Sequence, residues 1–407
     1  MKIVIAPDSY KESLSAHEVA TQIEKGFRDI FPDASYIKLP VADGGEGTVE
    51  AMVAATHGKI VQVKVTGPLG DRIDAFFGLS GDEKTAFIEM AAASGLERVP
   101  AQQRNPLLTT SYGTGELIRC ALEHGVKHCI IGIIGIIGII GIIGIIGIIG
   151  IIGIIGIIGI GGSATNDGGS GMAQALGARL LDDSGNQIGY GGGALNELAS
   201  IDIHELDPRI NDCRFEVACD VTNPLTGKQG ASAIFGPQKG ATAEIIEQLD
   251  GALKHYAAVI RRDLDMDVEQ VPGAGAAGGM GAALQAFCGA ELRQGIEIVT
   301  EALGLDELVR DASLVITGEG RIDSQTIHGK VPIGVARVAK RYDKPVIGIA
   351  GSLTADVGVV HEHGLDAVFS VLYNICSLEE ALDNAADNVR MTARNIAAVI
   401  KLSKGLT

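Results

Sequence analysis

The sequence contains no Cys-x-x-Cys pair and no Gly-x-x-x-x-Gly-Lys-Ser/Thr element. The first absence removes the usual thiol spacing of structural zinc and of dithiol redox sites. Cys120, Cys129, Cys213, Cys219, Cys288 and Cys376 are scattered, and no histidine stands in ligand spacing to Cys213 and Cys219. Buried free thiols in a reducing compartment are expected. The second absence excludes a P-loop, so any nucleotide must be held another way. An excess of positive charge is also missing: 33 Lys and Arg face 50 Asp and Glu, a net charge of −17. That balance argues against non-specific binding to nucleic acid or to an anionic membrane, since both are polyanions. An anionic ligand would need a local set of lysines, arginines, N–H groups or a metal. Nor is there a leader-like start. Met1-Lys2-Ile3-Val4-Ile5-Ala6-Pro7-Asp8 has too short an apolar run and breaks at Pro-Asp. It reads as the first strand of a cytoplasmic α/β protein.

What is present fits that reading. A chain of 407 residues with 46% hydrophobic content has ample material for two or three domains. Short apolar runs at Lys2–Ala6, Tyr36–Leu39, Leu314–Thr317, Val346–Ile349 and Ala367–Val371 end in glycine, serine or acidic loops. Helix-like stretches follow, as at Ala16–Phe27. Such strand-loop-helix units predict a mostly parallel sheet with ligands at the carboxyl ends of its strands. The middle third has more isolated glycine loops, and Gln62–Val65 with Asp74–Gly78 reads as a hairpin turned by Gly67-Pro68-Leu69-Gly70. The expected architecture is α/β with two domains. Residues 1–85 and 290–407 form a discontinuous, doubly wound Rossmann- or flavodoxin-like domain, and residues 86–289 form an inserted second α/β domain.

Four loops carry the chemistry. Gly161-Gly162-Ser163-Ala164-Thr165-Asn166-Asp167-Gly168-Gly169 combines backbone that can approach a ligand with two hydroxyls. Its free N–H groups, with a helix starting near Asp167, suit a phosphate. Asp43-Gly44-Gly45-Glu46-Gly47-Thr48 sets two carboxylates on a flexible loop, fit for Mg²⁺ or substrate hydroxyls. Asp220, in Cys219-Asp220-Val221-Thr222-Asn223, and Lys239, in Gly236-Pro237-Gln238-Lys239-Gly240, offer an acid and a point charge for phosphate. Lys239 could equally sit in an ordinary surface turn. Gly318-Glu319-Gly320-Arg321-Ile322-Asp323-Ser324-Gln325 packs four polar side chains behind a strand, with Lys330 close in sequence. By contrast, Gly273-Ala274-Gly275-Ala276-Ala277-Gly278 matches the dinucleotide pattern without a convincing strand before it, which argues against a nicotinamide cofactor.

Taken together, these segments resemble the type-1 glycerate kinases of bacteria. The likeness also runs through Ala6-Pro7-Asp8-Ser9-Tyr10-Lys11-Glu12-Ser13-Leu14, Ile88–Leu96, Ser111–Leu117, Ala218–Leu225 and Phe235–Gly240, and so covers the chain end to end. The resemblance implies ATP-dependent phosphorylation of D-glycerate with Mg²⁺, giving 2-phospho-D-glycerate, and two α/β domains with the active site in the cleft between them. On this reading Gly161, Gly162, Ser163, Thr165, Asn166 and Lys239 hold phosphates. Asp8, Ser9, Glu319, Arg321 and Ser324 join in binding the substrates. Lys11 assists the phosphates or the glycerate carboxylate. Asp43 with Glu46, or Asp220, serves the metal, and either Asp323 or Asp167 orients the attacking hydroxyl. A non-catalytic nucleotide- or metabolite-binding protein is the alternative, and a homodimer is left open.

One departure stands out. From Ile130 to Gly159 the chain reads Ile-Ile-Gly ten times, where the family pattern has a single step. Nine extra triplets are 27 residues, and 407 less 27 leaves 380, an ordinary family length. Thirty apolar residues exceed the roughly 20 that span a bilayer. They lie between two pieces of one soluble fold, however, without a basic flank or aromatic anchor. A period of three matches neither helix nor strand. The tract reads as a duplicated insertion that impairs activity and brings a risk of aggregation.

Overall fold

The computed structural model describes residues 1–42, 48–132 and 162–403. Asp43, Glu46, Gly161 and all but the first Ile-Ile-Gly triplet lie outside the described residues. The strands, in chain order, are β1 (Lys2–Pro7), β2 (Ser35–Lys38), β3 (Lys59–Thr66), β4 (Arg72–Leu79), β5 (Thr85–Glu89), β6 (His128–Gly132), β7 (Arg179–Leu181), β8 (Ser200–Asp202), β9 (Arg214–Ala218), β10 (Glu291–Arg293), β11 (Leu314–Ile322), β12 (Val346–Leu353) and β13 (Ala367–Ser370). The chain divides into two units. The first is Met1–Ile60 with Gly78–Asp82 and Arg293–Thr407; the second is Val61–Phe77 with Glu83–Leu292.

The first unit is built on a five-stranded sheet in the order β13-β12-β11-β1-β2, parallel throughout. Ile3, Val4, Ile5 and Ala6 are all fully buried, as a run covered on both faces requires. On one face lie the helices Ala16–Arg28 and Ala385–Ser403. The first is started by Ser15, which forms a reciprocal capping box with Glu18, and it buries Val19, Ala20, Ile23 and Phe27 at helical spacing. The two helices approach closely at Gly26, where a Cβ would lie 2.4 Å from the Arg390 carbonyl. Strand order reverses between β1 and β11. Their carboxyl ends therefore open on either side of a switch point, where doubly wound sheets bind ligands.

The second unit carries a six-stranded sheet, β10-β9-β6-β5-β4-β3, and a small antiparallel pair, β7-β8. Strands β5, β6 and β9 are parallel, and their register brings Glu89, Gly132 and Ala218 level at one end. The neighbours β3 and β4 are joined by the turn at 67–71, closed by the Gly67 N–H on the Asp71 carbonyl at 2.6 Å. This hairpin falls mostly in the second unit because β4 pairs with β5; the sequence reading had kept residues 1–85 with the first. All six cysteines are free, and Cys129, Cys213, Cys219 and Cys288 are buried. Among the described residues no helix is long and apolar enough to cross a membrane.

Candidate functional site

In the second unit the glycine loop is clamped from several directions. The Gly162 carbonyl accepts from the Leu96 N–H at 2.7 Å, and the Ala164 N–H donates to the Ser94 carbonyl at 2.9 Å. The Thr109 hydroxyl holds the Ala164 carbonyl at 2.7 Å. Lys239 completes the clamp. Its Nζ donates to Ser163 Oγ at 2.8 Å and to the Thr165 carbonyl at 2.6 Å. The lysine is only 1% exposed, so the surface-turn reading does not hold. Burial pushes its ammonium down to about 7, against the pull of the Asp167 charge. It leaves a short 3₁₀ turn, Pro237–Lys239, that ends at Gly240 with φ +90°, where a Cβ would lie 2.5 Å from the Arg104 carbonyl.

Asp167 plays an inward part. One carboxylate oxygen accepts from the Ser111 N–H at 2.8 Å and the Ser111 hydroxyl at 2.7 Å, and the other from the Gly169 N–H at 3.1 Å. The Gly171 N–H adds a longer contact of 3.4 Å. Burial raises this carboxyl above its usual range while these hydrogen bonds oppose the rise. The N–H groups that the sequence offered to a phosphate at Gly169 and Gly171 are thus taken by Asp167 itself. Asn166 donates to Ser232 Oγ at 2.9 Å, and the buried Asn166 Oδ1 and Thr165 Oγ1 have no protein partner. The glycines at 273–278 support this loop from behind. A Cβ on Gly278, at φ +70°, would lie 2.0 Å from the Thr165 carbonyl, and its own carbonyl accepts from the Gly168 N–H at 2.9 Å. No strand precedes them, so the dinucleotide pattern serves close packing here.

Asp220 follows β9 and is exposed. Among the described residues no three His, Cys, Asp or Glu side chains gather as a metal cage. Mg²⁺ asks for less, taking one or two carboxylates and filling its octahedron with water and phosphate oxygens. A hard carboxylate at the end of a parallel strand fits that requirement. Asp43 and Glu46 lie outside the described residues.

The first unit presents a second polar cluster at the end of β11. Glu319 is buried, with Oε1 accepting from the Thr326 hydroxyl at 2.6 Å and Oε2 lying 3.5 Å from Lys330 Nζ. Burial raises its carboxyl to about 7, opposed by Lys330 and Thr326. Asp323 lies 3.3 Å from Arg321 and 3.9 Å from Lys330. Asp323 also caps the turn Ser324–Ile327 through the Gln325 N–H at 2.9 Å. Ser324 helps hold the Asp356 carboxyl below its usual range, together with Thr354. On β1's side the Asp8 N–H donates to the Gly318 carbonyl at 2.8 Å, and Asp8 Oδ1 accepts from the Ser9 N–H at 2.7 Å. Lys11 is exposed, on the tight turn closed by the Tyr10 N–H on the Leu14 carbonyl at 2.8 Å.

Glu319, Arg321, Asp323, Ser324 and Lys330 are therefore brought together, as are Ser163, Thr165, Asp167 and Lys239. Sequence reasoning missed Thr326 and gave no role to Ser111, although both fix a predicted acid. It also missed Tyr10, whose hydroxyl donates to the Ile349 carbonyl at 2.8 Å beneath the cluster.

A family model described as "Glycerate kinase family" matches residues 3–151 and 154–401. Glycerate 2-kinase of Escherichia coli (strain K12) is 65% identical over 402 residues, 99% of this chain and 98% of that protein. Glycerate kinase of Bacillus subtilis (strain 168) is 56% identical over 404 residues, 99% of each. Among solved structures, one assigned as glycerate kinase 2 of Salmonella typhimurium LT2 superposes with a TM-score of 0.87 at 68% identity. That match covers 100% of this chain and 99% of the other.

Proposed function

The chain belongs to the glycerate kinase family and is an enzyme, and from this premise we infer that it transfers the γ-phosphoryl group of ATP to D-glycerate, giving 2-phospho-D-glycerate. The observation that carries this reading is the buried Lys239 ammonium, fixed on Ser163 and Thr165 within a glycine loop. A desolvated cation held in place before the ligand arrives meets phosphate charge without reorganisation cost. On this reading Lys239, Ser163, Thr165 and Asn166 hold phosphates, together with Gly161 and Gly162.

The acceptor hydroxyl oxygen forms the new bond to phosphorus as the bond to the ADP oxygen breaks, and its proton passes to a carboxylate. Asp323 suits that role better than Asp167, whose carboxylate is wholly buried and already accepts from Ser111 and Gly169. Asp167 instead holds the loop in register. Arg321, Lys11 and Lys330 offer cations for the glycerate carboxylate, while Asp8, Ser9, Glu319 and Ser324 offer polar contacts around it. Asp220 would hold Mg²⁺, with Asp43 and Glu46 the other candidates; when bound, that ion would neutralise charge on the phosphates.

The extra triplets join the carboxyl end of β6 to this loop. A shift of about 1 Å there can cost roughly 100-fold in rate, so activity is taken to be impaired by the repeat. An ADP-release assay with D-glycerate tests the reading, run on the full chain and on one shortened by 27 residues, with phosphorus NMR of the product. Turnover of another hydroxy acid with none of D-glycerate would overturn the substrate. Nucleotide binding without any transfer would favour a binding protein.

A further inference from the structure

Beside the glycine loop, the second unit contains a cavity of about 380 Å³ lined by Tyr112, Gln174, Gln187, Ile188, Gly189 and Tyr190. That size lies within the range of small-ligand sites. We propose that this cavity is the seat of the nucleotide's purine base, an inference that rests on the kinase reading above. Three observations carry it.

The first is the chemistry of the lining. None of its six residues is charged, so it suits neither a carboxylate nor a phosphate. Two tyrosines offer aromatic faces, their ring centroids 5.4 Å apart and tilted by 53°. Tyr190 is 46% exposed and available to a ligand. Base-aromatic stacking is favourable for any planar heterocycle. Two glutamines add amide groups that can both donate and accept, as the edge of a purine demands.

The second is continuity with the phosphate loop. Tyr112 opens the helix Tyr112–Glu123 directly after Ser111, the residue whose N–H and hydroxyl hold Asp167. Gln174 stands on the short helix Ser170–Ala175, which the Met172 N–H ties to Ser111 Oγ at 3.0 Å. Cavity and loop thus share two walls, so the phosphates of a base seated here would lead toward Ser163 and Lys239.

The third is an orphaned acceptor. Gln174 Nε2 donates to the Ile188 carbonyl at 3.1 Å, while Gln174 Oε1 is buried without a protein partner. A rotation of this side chain would offer the amide to the exocyclic edge of a base.

Binding of ATP and of inorganic tripolyphosphate to the full chain tests the proposal by calorimetry. Tyr190→Ala should weaken ATP about tenfold and leave tripolyphosphate unchanged, whereas Tyr190→Trp should keep ATP near wild type. Because Tyr190 is half out of the protein, the variant's melting temperature should not move, which checks that it folds. ATP binding to Tyr190→Ala at wild-type strength, or equal weakening of both probes, would overturn the proposal. A wild-type chain that binds tripolyphosphate as tightly as ATP would also overturn it, and would leave the kinase reading standing. If neither probe binds the wild-type chain, the kinase reading falls and the base site falls with it.

Discussion

Lys239 Nζ and Ser163 Oγ stand 2.8 Å apart with the lysine almost wholly removed from water. The partners it touches are a hydroxyl and a carbonyl, with the charge of Asp167 near enough to be felt. Such an ammonium is costly in the free protein and is relieved when an anion binds beside it. Lys239→Met keeps the length of the side chain and removes that cost. We expect its melting temperature to be unchanged or raised, while kcat/KM falls at least about 100-fold. Lys239→Arg should not rescue activity, since a planar guanidinium does not fit the space of a buried, linear side chain. Paired unfolding and turnover measurements check this. A variant that loses stability and activity together would mark Lys239 as structural.

Glu319 makes stability depend on pH in a defined window. Its folded carboxyl is raised from 4.5 to about 7, so between those values the folded chain binds more protons than the unfolded one. The stabilisation is complete below about 4.5 and is lost as pH rises through about 7, a difference on the order of 3 kcal/mol. Glu319→Gln should flatten this part of the profile. Denaturant unfolding at pH 5 and pH 8 measures it. An unchanged difference between the two pH values would refute the assignment.

The two aspartates should separate by what their amides do. In Asp167→Asn an NH₂ group replaces an acceptor that faces N–H donors, so buried donors lose their partner at about 1–3 kcal/mol each. We expect a lowered melting temperature together with lowered activity. Asp323→Asn should cost little stability, because one side-chain oxygen can still accept from the Gln325 N–H. If Asp323 takes the hydroxyl proton, that variant should lose kcat with KM for both substrates nearly unchanged. The reverse pattern, a stable Asp167→Asn with no kcat, would make Asp167 the base.

How much of this was legible in the chain depended on how local the cause was. The runs at Lys2–Ala6 and Val346–Ile349 became β1 and β12 because an apolar run between loop residues has few other ways to be buried. Ala16–Phe27 became the helix Ala16–Arg28 because its capping box and apolar stripe lie within the segment. The dense polar set behind β11 was readable for the same reason. Lys239 was not, since only the distant Ser163 and Thr165 reveal that it is buried. Likewise, nothing near Asp167 in sequence shows that Ser111, 56 positions away, will occupy its carboxylate. The alcohol of Thr326 gave no signal until Glu319 was found beneath it.

Two hydrogen bonds fix the ends of the connection that contains the repeat. The Met90 N–H donates to the Gly132 carbonyl at 3.2 Å and the Leu96 N–H donates to the Gly162 carbonyl at 2.7 Å. Met90 and Leu96 flank one short helix, Ala91–Ser94, which rises only about 1.5 Å per residue. Removing 27 residues would leave Ile160 and Gly161 between Gly132 and Gly162, a link of three peptide steps. Such a link reaches about 10 Å, enough to join neighbouring anchors of this kind. The framework on both sides is therefore compatible with either length. Lengthening the connection from two residues to 29 costs about 2 kcal/mol at about 0.6 per doubling. Uncharged β-branched repeats without proline add a tendency to self-associate. We expect the shortened chain to be more stable by about that amount, more active per milligram, and free of the large species that light scattering should find in the full chain. Intermediate lengths, cut by whole triplets, should fall in order between the two. Equal activity and equal scattering at both lengths would show that the loop at Ser163 is held by Leu96, Ser94 and Lys239 firmly enough to ignore what is attached to it.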